Sequence, residues 1–208
     1  MSTVYFYIEF LKSFDSYPKA APVDCFCQRS IHPANEFQIG HKLETNDPRN
    51  PSSVCIASVI GRHGCRIRLR LDWSDDRNDF WRMCDSDQLH PFEYSAKQGV
   101  KIQPPMGFLH DLSKFSVLLE KMIQLAGQGV FTFAPEKVFK DPPVPPLTNL
   151  FRVGHKLEAV EQQYPYLIYP ATVKDIKGNQ LLISFIGFNQ HGEFWCSYTS
   201  RDLFPIGW

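Results

Sequence analysis

The chain has 208 residues, of which 43% are hydrophobic and 14% aromatic, so it can form two domains of about 100 residues with separate cores. Lysine plus arginine and aspartate plus glutamate each number 22, and the formal net charge of zero argues against binding to nucleic acid or anionic lipid through bulk positive charge. No run approaches the ~18 apolar residues of a membrane span, and Met1–Phe14 lacks the basic start and apolar core of a signal peptide.

The first predicted elements are a short helix, Val4–Phe14, and a proline-containing extended arm, Pro18–Pro22. A longer segment, Gly40–Pro91, then recurs 114 residues later as Gly154–Pro205 without a gap. Both copies open with Gly-His-Lys-Leu-Glu, contain Phe-Trp and close with a leucine and a proline. This internal duplication predicts two modules of the same architecture.

Within each copy the dominant sequence period is two. Arg66–Asp72 alternates polar and apolar residues without a break, as a half-buried strand does. Ser53–Ile60 and its counterpart Tyr166–Val173 are rich in β-branched or aromatic residues, and Gly64 and Gly178 fall where tight turns need a positive φ. Each copy is therefore predicted to be a small antiparallel barrel of about four or five strands.

Between the two copies the pattern changes. Ser113–Ala126 has apolar residues at helical spacing, with Asp111 or Ser113 as N-cap, and predicts a helix. Asp141–Pro146 is dominated by proline, so it is too stiff and too poor in N–H donors to join a central strand. We expect such arms to wrap a neighbouring barrel.

Three shared features identify the family that both copies resemble. They are the sequence F-x-[IV]-G-H-K-L-E, an acidic residue followed four positions later by proline, and the downstream Phe-Trp. In this chain they correspond to Phe37–Glu44 and Phe151–Glu158, Asp47–Pro51 and Glu161–Pro165, and Phe80-Trp81 and Phe194-Trp195. Each copy resembles the MBT (malignant brain tumour) repeat, and the whole resembles the two-repeat Sex-comb-on-midleg (Scm-like) group of Polycomb proteins.

The resemblance implies a mostly β fold of two MBT repeats, each a small antiparallel barrel with a helical or extended arm packed against the neighbouring repeat. It predicts repeat 1 as residues 1–108 (arm 1–36, barrel 37–108) and repeat 2 as residues 109–208 (arm 109–150, barrel 151–208). It also implies a nuclear, chromatin-associated transcriptional repressor that binds mono- or dimethylated lysine on histone H3 or H4 tails and associates with Polycomb-group proteins. The family pattern continues beyond the last residue, which is compatible with a fragment or isoform of a longer protein.

A methylated ammonium group is bound best by aromatic faces and by a carboxylate that accepts its remaining N–H. Carried over from the family, the carboxylate of repeat 2 is Glu161, and the first two aromatic positions are Phe185 and Phe188. The third aromatic position is Gly192, and the position three residues after the acid is Tyr164, a candidate replacement wall. Repeat 2 is thus predicted to be a partly degraded methyl-lysine site.

Repeat 1 has the opposite pattern. Asp47 and Asn50 match the family, but the aromatic positions are Leu71, Ser74 and Asn78. Without a π face, this repeat is predicted to be a vestigial pocket. The competing interpretation of Asp47 is a turn residue that accepts hydrogen bonds from nearby backbone N–H groups.

Two other interpretations remain open. A scaffold that has lost ligand binding and mediates Polycomb-group protein contacts is the main alternative, and weak nucleic-acid contact through the basic strand face Arg62–Arg70 is the other. Trp195 matches Trp81, so it is predicted to be framework core.

The sequence contains no nucleophile, phosphate-loop or metal-ligand motif. The six cysteines are predicted to be reduced thiols of an intracellular protein. His41 and His155 are predicted to be framework or surface residues. We therefore expect no enzymatic activity, cofactor or metal.

Overall fold

The computed structural model describes residues 20–187 and 192–208, so the predicted helix Val4–Phe14 lies outside the described residues. The chain divides into two compact units. One consists of Ile31–Pro142, here called the repeat-1 unit. The other consists of Met1–Ser30 together with Pro143–Trp208, here called the repeat-2 unit.

The repeat-1 unit is built on a five-stranded antiparallel sheet of order β4-β3-β2-β1-β5. Its strands are β1 (Lys42–Asp47), β2 (Asn50–His63), β3 (Arg66–Leu71), β4 (Phe80–Met83) and β5 (Leu89–His90). Its helices are α1 (Tyr94–Lys97) and α2 (Phe115–Gly127), with 3-10 turns at Asp76–Asn78, Leu112–Lys114 and Glu136–Val138.

Strand β2 curls this sheet because its two halves have different partners. Its first half pairs with β1 and its second half with β3, and the pairing shifts at a bulge between Val59 and Gly61. The predicted alternation in β3 is confirmed, since Ile67 and Leu69 are completely buried while Arg68 between them is exposed.

The repeat-2 unit repeats this arrangement with a sheet of order β10-β6-β7-β8-β9. Its strands are β6 (Lys156–Val160), β7 (Ile168–Lys177), β8 (Gln180–Phe185), β9 (Glu193–Ser197) and β10 (Leu203–Phe204), and a 3-10 turn covers Val23–Cys25. The pairing of Lys156 with Thr172 corresponds to that of Lys42 with Ser58, so the duplicated sequence specifies the same register twice.

In each unit, a segment distant in the sequence adds to the sheet. The backbone N–H of Ala21 donates to the carbonyl of Lys156 at 2.9 Å in the repeat-2 unit. In the repeat-1 unit, the N–H of Ala134 donates to the carbonyl of Lys42 at 2.8 Å. Each barrel is therefore completed by an arm that belongs, in sequence, to the other repeat.

The predicted fold class, mostly β with arms packed against the neighbouring repeat, is confirmed. The two compact units are not the two contiguous halves of the chain, because one of them combines both ends of the sequence. The boundaries 1–108 and 109–208 therefore remain a prediction about the repeats in the sequence. The predicted helix after Asp111 is also confirmed, because Asp111 Oδ1 accepts from the Ser113 N–H before α2 begins. In the described part of the chain, no helix is long and apolar enough to cross a membrane.

Candidate functional site

The acid of repeat 2 lies in a tight loop between β6 and β7. Glu161 is half-buried, and its Oε2 atom accepts a hydrogen bond from the backbone N–H of Tyr164. The N–H of Glu161 donates to the carbonyl of Leu167 at 3.0 Å, and the N–H of Leu167 donates back to the carbonyl of Tyr164 at 2.8 Å. Among the described residues, the Oε1 atom of Glu161 accepts no hydrogen bond, so one carboxylate oxygen is available to a ligand.

Phe185 has a different environment from Glu161 and Tyr164. It ends β8 on the same face as the buried residues Leu181 and Ile183, and it is only 4% exposed. Its ring centroid lies 6.2 Å from that of Tyr169 and 5.6 Å from that of Phe194. The ring therefore belongs to the apolar core of the repeat-2 unit.

The remaining predicted positions of repeat 2 follow Phe185 in the sequence. Phe188 lies outside the described residues, and Gly192 carries no side chain. The structure therefore brings two of the predicted site residues together, Glu161 and Tyr164, through the hydrogen bond that joins them.

In repeat 1, the corresponding acid is fully engaged with backbone donors. Asp47 is completely buried, its Oδ1 accepts from the N–H of Arg49 at 2.9 Å, and its Oδ2 accepts from the N–H of Met106 at 2.7 Å. The first of these bonds is the turn arrangement that the competing interpretation predicts. The second anchors the extended segment that follows the barrel, so the carboxylate stabilises the fold of this unit.

The side chain of Arg49 covers this acid. Its Nε atom lies 4.0 Å from Asp47 Oδ1, and a Cβ atom added at Gly107 would lie 2.9 Å from its Nη2 and 3.5 Å from Asn78 Nδ2. The guanidinium thus packs against the backbone of Gly107, next to one of the positions where the family pattern has an aromatic residue. A cation of the chain itself therefore lies beside the acid.

The side chains at the other predicted positions of repeat 1 also make local contacts. Asn50 Nδ2 donates to Ser53 Oγ at 2.7 Å, and its Oδ1 accepts from Ser52 Oγ at 2.9 Å. Leu71 is buried, and Asn78 Nδ2 donates to Ser74 Oγ at 3.2 Å.

One functional candidate was missed by the sequence analysis. Tyr166 lies in the same loop as Glu161 and is 56% exposed, and its ring centroid is 6.1 Å from that of Tyr164, which is 53% exposed. Comparison of the two repeats could have found it, because Asn50 and Ser52 occupy the corresponding positions in repeat 1. Both polar residues are replaced by tyrosine.

The prediction that Trp195 is framework core is wrong. It is 42% exposed, and the ammonium of Lys177 lies 4.9 Å from its ring. The reason is strand alternation, since Phe194 and Cys196 pack against the core and direct the residue between them to the outer face of β9.

The basic strand face of repeat 1, the candidate for weak nucleic-acid contact, is only partly solvated. Arg66 is buried and its guanidinium lies 5.1 Å from the ring of Trp81. Arg68 and Arg70 both donate to the carboxylate of Asp79, each with a 2.7 Å contact. These pairs reduce the positive charge that this face presents to solvent.

The histidine of the Gly-His-Lys-Leu-Glu motif has a structural role in both repeats. Nδ1 of His41 accepts from the N–H of Gln38 at 3.1 Å, and Nδ1 of His155 accepts from the N–H of Arg152 at 3.2 Å. Burial lowers the pKa of His41, with a smaller contribution from Arg62. The neutral imidazole is the form that can accept this hydrogen bond. All six cysteines are free thiols.

Two copies of one curled sheet, completed by exchanged arms and each carrying an acid at the end of its first strand, define a tandem-repeat β protein whose candidate site is a binding loop. The family model described as mbt repeat matches residues 41–109 and 155–208. The chain therefore belongs to the MBT repeat family.

Curated relatives support this assignment. The chain is 44% identical over 200 residues to the Polycomb protein SCMH1 of Mus musculus, covering 96% of this chain and 27% of that protein. It is 36% identical over 192 residues to the human Lethal(3)malignant brain tumor-like protein 4, covering 91% of this chain and 30% of that protein. The chain thus spans less than a third of the length of these relatives.

A solved structure of the same family is also similar. It is the crystal structure of the four MBT repeats of Drosophila melanogaster Sfmbt in complex with the peptide RHR(me)KVLR, at 27% identity and a TM-score of 0.42. The match covers 84% of this chain and 39% of that one.

Proposed function

We propose that this chain is the histone-tail-binding module of a nuclear, chromatin-associated transcriptional repressor, and that repeat 2 recognises mono- or dimethyl-lysine weakly. Its partners are the H3 or H4 tail and Polycomb-group proteins. The observation that carries the proposal is the carboxylate of Glu161, which has one oxygen bonded to the Tyr164 N–H and the other available, in the same loop as the exposed residues Tyr164 and Tyr166.

The chemistry of the ligand follows from this acid. A mono- or dimethylammonium group retains an N–H that the Oε1 atom of Glu161 can accept, and its methyl groups favour aromatic contact. Trimethyl-lysine has no N–H and loses the hydrogen bond. In repeat 1, both oxygens of Asp47 are already engaged, which favours repeat 2 as the site.

Weak binding is expected for two physical reasons. A single lysine side chain contributes little contact area relative to the cost of ordering a flexible peptide. In addition, the third aromatic position is Gly192, so one wall of the family pattern is missing.

A titration of the 24 kDa chain with histone H4 tail peptides tests the proposal by NMR. We expect the monomethyl-lysine peptide to bind more tightly than the unmodified and trimethylated peptides, and Glu161→Gln to weaken its binding about tenfold, because a hydrogen bond to a charged acceptor is lost. Equal affinity for all three peptides, or an unchanged affinity in Glu161→Gln, would contradict it.

The burial of Phe185 in the core favours a second candidate, a scaffold that contacts other Polycomb-group proteins without reading methylation. In that case, the three peptides bind equally or not at all, while the chain still associates with Polycomb-group proteins. The peptide titration therefore separates the two candidates.

A further inference from the structure

The loop that carries the acid of repeat 2 is held in one conformation. Three hydrogen bonds close it within seven residues, from Glu161 N–H to Leu167, from Leu167 N–H to Tyr164, and from Tyr164 N–H to the Glu161 carboxylate. Pro165 follows Tyr164 at the second position of the turn closed by Leu167, where its fixed φ favours the turn. The side chains of this loop are thus presented from a rigid backbone.

Two of these side chains are large, aromatic and more than half exposed. The rings of Tyr164 and Tyr166 meet at an interplanar angle of 64°, so they form an edge-to-face pair in which at least one π face is not covered by the other ring. Both rings lie in the same short loop as an acid with an available oxygen, so this loop presents aromatic groups and a negative charge together.

The corresponding segment of repeat 1, which begins strand β2, provides an internal comparison. Asn50 and Ser52 occupy the equivalent positions, and the Asn50 side chain bonds to those of Ser52 and Ser53. The adjacent acid, Asp47, is buried. Aromatic rings and an available carboxylate oxygen thus occur together in repeat 2 and are absent together from this segment of repeat 1.

We propose that Tyr166, together with Tyr164, provides the aromatic face of the repeat-2 site, while Glu161 Oε1 accepts the N–H of the bound cation. The ligand class is a mono- or dimethylated lysine side chain, because the carboxylate of the loop needs an N–H donor, which trimethyl-lysine lacks, and the π faces favour the methyl groups. Phe185 supports the sheet from the core and is not a wall of this site. This inference rests on the proposed function and assigns the residues that carry it.

The test compares variants of Tyr166 with a matched variant elsewhere in the same unit. Tyr166→Leu removes the π face and keeps an apolar side chain of substantial size, and Tyr166→Phe keeps the ring. Trp195→Leu is the control, because Trp195 is also an exposed ring next to a cation but lies on β9. Each variant is titrated with the monomethyl-lysine H4 peptide, and its unfolding curve is recorded.

We expect Tyr166→Leu to weaken binding about two- to fivefold, which is the effect of one exposed cation–π contact, and Tyr166→Phe and Trp195→Leu to bind as the unchanged chain does. Tyr166→Ser, which places at this position the residue type found in repeat 1, serves as a second test and should give a loss at least as large. Unfolding curves should be unaltered, since the side chain is exposed.

The outcomes separate this inference from the function on which it rests. If the unchanged chain prefers the monomethylated peptide and all Tyr166 variants bind equally well, the assignment of Tyr166 is wrong and the proposed function stands. If the unchanged chain does not distinguish methylated from unmodified peptide, the proposed function itself is wrong. A loss in Trp195→Leu equal to that in Tyr166→Leu would also contradict the assignment.

Discussion

Glu158 accepts a hydrogen bond from the backbone N–H of Gly207, with 2.9 Å between Oε1 and N. The first repeat contains the same relationship, since the Glu44 carboxylate accepts from the N–H groups of Glu93 and Ser95, both at 2.7 Å. The glutamate of the duplicated Gly-His-Lys-Leu-Glu motif therefore holds the turn that follows the last strand of each sheet.

We predict that Glu44→Gln destabilises the repeat-1 unit by about 2 kcal/mol, because an amide replaces a fully buried carboxylate that accepts two backbone N–H groups. Urea denaturation measures the change. Glu120→Gln is the control, since Glu120 is exposed on α2, and it should leave stability nearly unaltered. Equal effects of the two substitutions would show that the buried carboxylate has no structural role.

The residue that donates to this glutamate has the same left-handed backbone in both repeats but a different side chain. Gly207 has a φ of 78°, and Glu93 at the corresponding position has a φ of 73°. We predict that Gly207→Ala destabilises the repeat-2 unit by about 1 kcal/mol through backbone strain alone, since an added Cβ would meet no atom within 4 Å. Glu93→Gly should relieve the same strain. Thermal unfolding checks both, and a loss of stability in Glu93→Gly comparable to that in Gly207→Ala would contradict the explanation.

The acids of the two repeats should respond differently to neutralisation. Asp47→Asn is expected to cost about 2 kcal/mol of unfolding free energy, because it disturbs two backbone hydrogen bonds to a buried carboxylate. Glu161→Gln is expected to cost less than about 1 kcal/mol, because the side chain is half-buried and has one backbone donor. Chemical denaturation of the two variants side by side provides the measurement. A larger loss of unfolding free energy in Glu161→Gln than in Asp47→Asn would show that Glu161 also has a structural role.

His90 should make stability depend on pH. Its ring is stacked on Tyr94 with 3.8 Å between centroids, and burial lowers its pKa from the ordinary value of 6.5, although Asp87 opposes the shift. As the pH falls below 6.5, the unfolded chain binds the proton first, so stability is complete above that pH and decreases toward the folded-state pKa.

His90→Phe should reduce this loss, and the counterpart in repeat 2 is already Phe204, stacked on Trp208. Unfolding free energies at about pH 7.5 and about pH 5.5 check the prediction. His41 contributes in the same direction and remains in the variant, so the pH dependence should shrink without vanishing. An unaltered dependence in His90→Phe would mean that His90 does not titrate between the two states.

Much of the fold could be predicted because its signals are local. The alternation in Arg66–Asp72 requires only neighbouring residues, and β3 covers all but the last of them. The helix after Asp111 follows from apolar spacing and a cap, and α2 begins four residues later. The 114-residue repeat predicted two modules of the same architecture, and the two sheets have the same register.

The candidate site was only partly predictable. The contact between Glu161 and Tyr164 follows from their spacing of three residues in a turn. The position of Phe185 does not, since the family pattern marks it as aromatic but cannot say whether its ring faces a ligand or the core. Only the structure shows that it packs in the core on the same face as Leu181 and Ile183. Tyr166 matches no family position; comparison of the two repeats could have marked it as different, but its exposure and its ring partner are known only from the structure.

By itself, the sequence determined the two-repeat architecture, the strands and the turns, because periodicity and glycine or proline placement act within a few residues. Only the tertiary structure decided which polar groups form hydrogen bonds with residues that are distant in the sequence. Met106, 59 residues from Asp47, donates to that acid, and Ala21 bonds to Lys156 across the sequence. Burial and hydrogen-bond saturation depend on such distant segments, so the acids at corresponding positions become a structural carboxylate in repeat 1 and one with an available oxygen in repeat 2.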